Sequence, residues 1–127
     1  MSTDYKGRRP QKSMGVLHSF RFAIQGLTHS IVNERNMRIH VFISMVVVIV
    51  GFLVRLSSVE WLFILFAIFG VFTLELLNTA LERIVDLVTE DYHPLAKQAK
   101  DIAAAAVFVY ALLSIMVGMI IFLPKLI

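Results

Sequence analysis

Three apolar stretches, Ile39–Leu56, Val59–Leu77 and Ile102–Leu123, take up nearly half of this 127-residue chain. At about 1.5 Å per helical residue, the third alone crosses the roughly 30 Å hydrocarbon core of a bilayer. The first two are shorter and end in polar residues. Between them Ser57-Ser58, flanked by Arg55 and Glu60, reads as a tight helical hairpin turn, with Trp61 as an interface anchor. With 58% hydrophobic residues and 17% charged ones, the chain is neither disordered nor a soluble monomer, since it lacks the polar residues to cover its own surface. The length fits one domain. Zero cysteines exclude a disulfide framework, an iron–sulfur cluster and a thiolate zinc site. A net charge of +3 would suggest nucleic acid as a partner of a soluble protein. In a membrane protein it reflects where lysine and arginine must sit, and no nucleic acid is expected.

The expected architecture is all-α and integral to the membrane, with three transmembrane helices behind an N-terminal amphipathic surface helix. Residues 1–13 read as a disordered basic tail, with no signal peptide in them, and residues 14–127 as the membrane domain. The surface helix is placed at 16–34 and the spans at 39–56, 59–86 and 101–123. On the surface helix Val16, Leu17, Phe20, Ala23, Ile24, Leu27 and Ile31 share an arc of roughly 120°, with Phe22 off it. Lys6, Arg8, Arg9, Lys12, Arg21, Arg35 and Arg38 precede the first span, and Arg83, Lys97 and Lys100 lie toward the connection of spans two and three. Arg55 and Lys125 alone fall on the other side. The positive-inside rule then puts the N-terminus and the 83–101 connection in the cytoplasm and the C-terminus outside.

The second span does not end in apolar residues. Glu75, Asn78, Glu82 and Asp86 recur at +3, +7 and +11, which on a helix places them within about 80° of arc. Glu75 lies within the hydrocarbon or at its edge, where an ionisable residue is costly and marks a functional site. Glu82 and Asp86 are like charges one turn apart and repel unless a cation or proton intervenes.

Lys100-Asp101 is read as opening the third span. Asp101 suits a helix N-terminus; Lys100 does not, and an anionic partner such as Asp86 or a phosphate explains it better. Read alone, His93 before Pro94 is a loop residue without a task. Ala104, Ala111, Ser114 and Gly118 share a face suited to close helix packing. No phosphate-cradling glycine loop, no H-E-x-x-H and no Ser-His-Asp spacing is present. Acidic sites of this kind bind divalent cations, Mg²⁺ favouring one or two carboxylates plus substrate phosphates. At this level an enzyme with an acidic cation site, a small transporter using the acidic stripe as its ion site, and a non-catalytic membrane subunit all remain open. A transporter would keep its acidic residue near midplane, whereas this stripe runs out into the cytoplasm.

The run Glu75-Leu-Leu-Asn78-Thr-Ala-Leu-Glu82-Arg-Ile-Val85-Asp86 resembles the signature of the prokaryotic diacylglycerol kinase family. Asn33-Glu34 and the block from His93 to Asp101 resemble two further stretches of the same family, over about residues 15–125. The resemblance implies a membrane lipid kinase that transfers the γ-phosphate of ATP to a lipid hydroxyl with Mg²⁺. It also implies a homotrimer whose active sites are shared between subunits. Carried over by position, it makes Glu75 the general base and Asn78 the residue that orients it or the transferring phosphoryl group. Glu34 and Glu82 become the metal ligands at the nucleotide phosphates, and Asp91, His93, Lys100 and Asp101 nucleotide contacts. Glu75 and Glu82 are two turns, about 10.5 Å, apart, which suits a division of labour between base and metal ligand.

The wording of NERNMRIH and DYHPLAKQAKD is most similar to the Gram-positive branch, whose members act on undecaprenol. The Gram-negative branch has an arginine and a tyrosine where this chain has Gly15 and Phe22, so contacts made by those side chains do not carry over. Diacylglycerol and undecaprenol each bring one primary hydroxyl on a long apolar body. The groove around the headgroup is expected from the surface helix and the first two spans; the few hydrogen-bond donors on that helix favour the acceptor without ester groups, and undecaprenol is the expected preference.

Overall fold

In lipid every backbone N–H and C=O must find its partner within the protein, which for a single short chain means helices. The computed structural model describes residues 15–127, and these form four helices: α1 (Gly15–Asn33), α2 (Arg35–Leu53), α3 (Ser58–Val88) and α4 (Pro94–Leu126). The tail expected at 1–13 lies outside the described residues. Helices α2, α3 and α4 are each long and apolar enough to cross a membrane, which makes this a multi-pass membrane protein. With 31 and 33 residues, α3 and α4 are about 46 and 50 Å long, well beyond the roughly 30 Å hydrocarbon core. Lys125 near the end of α4 meets Glu60 at the start of α3 at 3.3 Å, so the excess length of both lies at the other end, toward their connection.

The α2–α3 hairpin is closed by backbone chemistry. Leu56 N–H reaches back to the Gly51 carbonyl at 3.1 Å and Arg55 N–H to the Phe52 carbonyl at 3.2 Å, with Arg55 itself left-handed at φ 57°. This is a Schellman ending in which an arginine holds the position usually given to glycine. A side chain at Gly51 would meet the Trp61 ring and Leu56, so glycine is what lets α3 fold back tightly. Ser57 and Glu60 then form a capping box: the Ser57 hydroxyl accepts from Glu60 N–H, and the Glu60 carboxylate accepts from Ser57 N–H at 2.8 Å. Trp61, expected as an interface anchor, is half-buried against Phe52 and joins the small core of Leu56, Ile64 and Ile121.

α4 packs along α3. A Cβ at Gly70 would fall inside the Tyr110 ring, and the Tyr110 hydroxyl donates to the Phe66 carbonyl at 2.7 Å. One turn further, Ser114 donates to its own helix at the Tyr110 carbonyl, 3.0 Å, and approaches the Ala67 carbonyl at 3.4 Å. The buried side chains on α4 are Val107 and Ile121, while Ala104 from the expected small-residue face is exposed.

Two sequence expectations change. α4 begins at Pro94, not near Asp101, because His93 caps it: its Nδ1 accepts from Leu95 N–H at 3.1 Å, and Pro94 occupies the first turn. Lys100 and Asp101 therefore sit in the second turn, and the helix-dipole argument for Asp101 no longer applies. α1 ends at Asn33 and α2 begins at Arg35, so Glu34, expected within the surface helix, is instead a single extended residue between the two (φ −104°, ψ 117°). Arg38 of α2 folds back to donate to the Val32 carbonyl at 2.6 Å, satisfying an acceptor at the C-terminus of α1. Most of the α1 apolar face stays uncovered by its own chain, with Val16 and Leu17 each 72% exposed; Phe22, off that face, stacks on His18.

Candidate active site

The polar stripe of α3 begins inside the apolar part of the molecule. Counting from Ser58 at about 1.5 Å per residue, Glu75 lies about 26 Å along the helix and Glu82 about 36 Å, one near the edge of the hydrocarbon and the other beyond it. Glu75 is 3% exposed and Asn78, one turn on, is buried with its Oδ1 lacking a hydrogen-bond partner. A carboxylate and an amide held in that depth are expensive to desolvate, so they need a ligand or partner there.

Three elements converge on this stripe. Glu34, at the α1–α2 joint, makes no capping bond to its own helix. Its carboxylate instead accepts from Arg83 of α3 at 2.8 Å, beside Glu82. From α4, Lys100 meets Asp86 at 2.6 Å, the partner expected for it, although with α4 beginning at Pro94 the helix-end argument for that partner no longer holds. From α2, His40 Nε2 approaches Glu75 Oε2 at 3.7 Å.

The remaining expected residues stay outside this convergence. Asp91 has an exposed side chain, and its backbone N–H donates to Thr89 Oγ1 in the α3–α4 turn. His93 is spent on the cap of α4 through Nδ1, so a neutral ring carries its proton on exposed Nε2. Asp101 pairs with Lys97 of its own helix at 2.6 Å. Among the described residues no three acidic or histidine side chains form a ready-made metal cage. Two carboxylates from different elements, Glu34 and Glu82, with no cage around them, suit a cation that arrives already bound to phosphates, as Mg²⁺ does.

The sequence reading passed over His40 and the Arg83–Glu34 pairing. For His40 a signal existed: with Ser44 it is one of two hydrogen-bonding side chains between Ile39 and Leu53, and polar groups inside a span mark function. For Arg83 there was none, since its partner is 49 residues away.

α2 and α4 each pack on α3 and not on one another. This leaves an apolar groove of about 270 Å³ walled by Ile43 and Val47 of α2, Ile64, Ile68 and Val71 of α3, and Ile115 and Phe122 of α4. His40 lies on its wall, and through His40 the groove meets Glu75.

Carboxylates ranged along one helix from the apolar interior outward, near an apolar groove, make this a membrane protein with a polar site at one end of its spans. The sequence profile of prokaryotic diacylglycerol kinase matches residues 21–122. An undecaprenol kinase of Bacillus subtilis is 52% identical over 85% of this chain and 88% of its own length. A diacylglycerol kinase of Synechocystis is 41% identical over 91% of this chain and 67% of its own, and one of Haemophilus influenzae 31% identical over 77% and 86%. The chain belongs to the prokaryotic diacylglycerol kinase family and is a membrane lipid kinase. The transporter and accessory-subunit readings fall with that assignment.

Proposed function

We propose that this kinase transfers the γ-phosphate of ATP to the hydroxyl of undecaprenol, yielding undecaprenyl phosphate, with diacylglycerol as the poorer acceptor. The observation that carries the reading is the buried Glu75, 3.7 Å from His40 on the wall of an apolar groove. A lipid alcohol seated there leaves its chain among aliphatic side chains and presents its oxygen to a carboxylate. Glu75 takes the hydroxyl proton, the alcohol oxygen attacks the γ-phosphorus, and the bond to the leaving ADP oxygen breaks. Asn78, buried one turn along, orients the carboxylate or the phosphoryl group by donating from its amide NH2.

Glu34 and Glu82 would hold Mg²⁺ with the nucleotide. When bound, Mg²⁺ neutralises charge on the β- and γ-phosphates. Lys100, freed from Asp86, and the exposed Asp91, His93 and Asp101 line the aqueous approach on which the nucleotide lies. That approach belongs to the cytoplasm, with α1 on the inner membrane surface, the N-terminus inside and the C-terminus outside, as the placement of basic residues supports.

The assembly we propose is a homotrimer with sites completed between subunits, as the resemblance to the family implies; the exposed Phe63, Phe66 and Phe69 of α3 face lipid or a neighbouring helix. The preference for undecaprenol rests on the 52% identity with the Bacillus subtilis undecaprenol kinase and on a groove whose polar side chains are only His40, Ser44 and Ser114. Two ester groups would find few donors there. The test is a rate comparison with labelled ATP and Mg²⁺ in one micelle system, with each lipid at equal mole fraction. A higher rate with undecaprenol is expected. A clearly higher rate with diacylglycerol overturns the preference, and no labelled lipid with either overturns the site reading.

A further inference from the structure

A general base buried in an apolar setting must have its carboxylate turned the right way before substrate arrives. Glu75 reaches the site from α3 through a flexible side chain, and its own helix offers Asn78 one turn on. The facing helix supplies something different. His40 Nε2 stands 3.7 Å from Glu75 Oε2, with the two side chains 22% and 4% exposed. Among the described residues no other basic side chain comes within 4 Å of Glu75. The separation is slightly beyond a hydrogen bond. Contacts of this kind in substrate-free sites are often long and tighten when the reactants are in place.

His40 also occupies a particular place on α2. It lies on the wall of the groove, one turn before Ser44, in a helix that is otherwise apolar from Ile39 to Leu53. An imidazole there costs desolvation that leucine would not, and its nearest charged group is the carboxylate assigned as base. We infer that His40 is a positioning residue for Glu75: its Nε2–H donates to one carboxylate oxygen, which leaves the other turned toward the groove mouth where the lipid hydroxyl enters. This rests on the reading of Glu75 as the base. It gives α2 a part in the chemistry, since the helix that walls the lipid groove also sets the orientation of the base.

The experiment uses the purified full chain in micelles with undecaprenol and Mg-ATP, comparing wild type, His40→Leu, His40→Gln, Glu75→Gln and the His40→Leu/Glu75→Gln double variant. His40→Leu should lower kcat on the order of tenfold to a hundredfold, the scale of a misplaced reacting group, with KM for ATP unchanged. His40→Gln, whose amide N–H still donates, should recover most of that loss. The double variant should be no slower than Glu75→Gln, because a positioning residue has nothing left to position. Thermal unfolding of each variant separates orientation from folding. His40→Leu with wild-type kcat overturns the inference, as does a loss that His40→Gln shares in full with an equal fall in thermal midpoint. If Glu75→Gln itself turns over normally, it is the base assignment that fails.

Discussion

Arg83 and Glu34 are 49 residues apart and meet at 2.8 Å, tying the α1–α2 joint to the acidic stripe of α3. The arginine is more than half exposed, so the pair adds only about 0.2–1 kcal/mol to stability. Its effect falls instead on Glu34, a proposed ligand of the nucleotide-bound cation. Arg83→Ala should raise KM for Mg-ATP by up to about tenfold, corresponding to about 1.4 kcal/mol, with KM for lipid unchanged and the thermal midpoint nearly so. Steady-state kinetics with each substrate varied in turn, beside a melting curve, checks this.

The two buried-to-surface carboxylates of α3 should fail differently. Glu75→Gln removes a proton acceptor and should cost about 10²–10⁴-fold in turnover while Mg-nucleotide still binds. Glu82→Gln should weaken Mg-nucleotide binding itself. Equilibrium binding of a labelled nucleotide alongside turnover distinguishes them. Near-normal turnover of Glu75→Gln with lipid in excess would remove it from the role of base.

The chain contains no cysteine, so single cysteines report topology cleanly. A cysteine at Ser58, in the hairpin end, should react with an impermeant reagent added to intact cells, and one at Thr89 should not. The reverse pattern would put the acidic stripe on the side without ATP.

Gly70→Ala should lower the thermal midpoint, since the new methyl has to displace the Tyr110 ring and its bond to the Phe66 carbonyl. Overpacking of this kind costs about 1–3 kcal/mol. In a Tyr110→Ala background the ring is gone, and Gly70→Ala should then add almost nothing.

Arg55→Gly should act in the opposite direction. Left-handed backbone costs a residue with a Cβ about 1–2 kcal/mol, and Arg55 holds φ 57° at the end of α2. Relief of that strain, partly offset by the greater freedom of glycine when unfolded, should raise stability by up to about 1 kcal/mol. Differential scanning in detergent measures it.

What could be read along the chain, and what could not, follows the range of the interactions. Glu75, Asn78, Glu82 and Asp86 fall on one stripe by helical repeat alone, so a single sequence reveals them. Lys100 does meet Asp86, at 2.6 Å, but the argument that named this partner rested on a helix start at the wrong place. The start of α4 was not legible. Its first turns are polar and carry no apolar repeat, and the signal was the local cap of His93 with Pro94, which reads equally well as a loop. His40 was hidden by the strength of its surroundings, because an apolar run this clear invites reading as a span and nothing more. The closure of Arg83 on Glu34 depends on how three helices meet, which no local pattern encodes.

Glu34 is both the single extended residue between two helices and the owner of a carboxylate proposed to serve the nucleotide. A change in the angle at which α1 leaves α2 must be absorbed by the torsions of that residue, and Arg38, which fastens the end of α1 to α2, limits how far it can go. On the proposed reading of Glu34, the angle between the two helices would therefore bear on where that carboxylate meets the nucleotide.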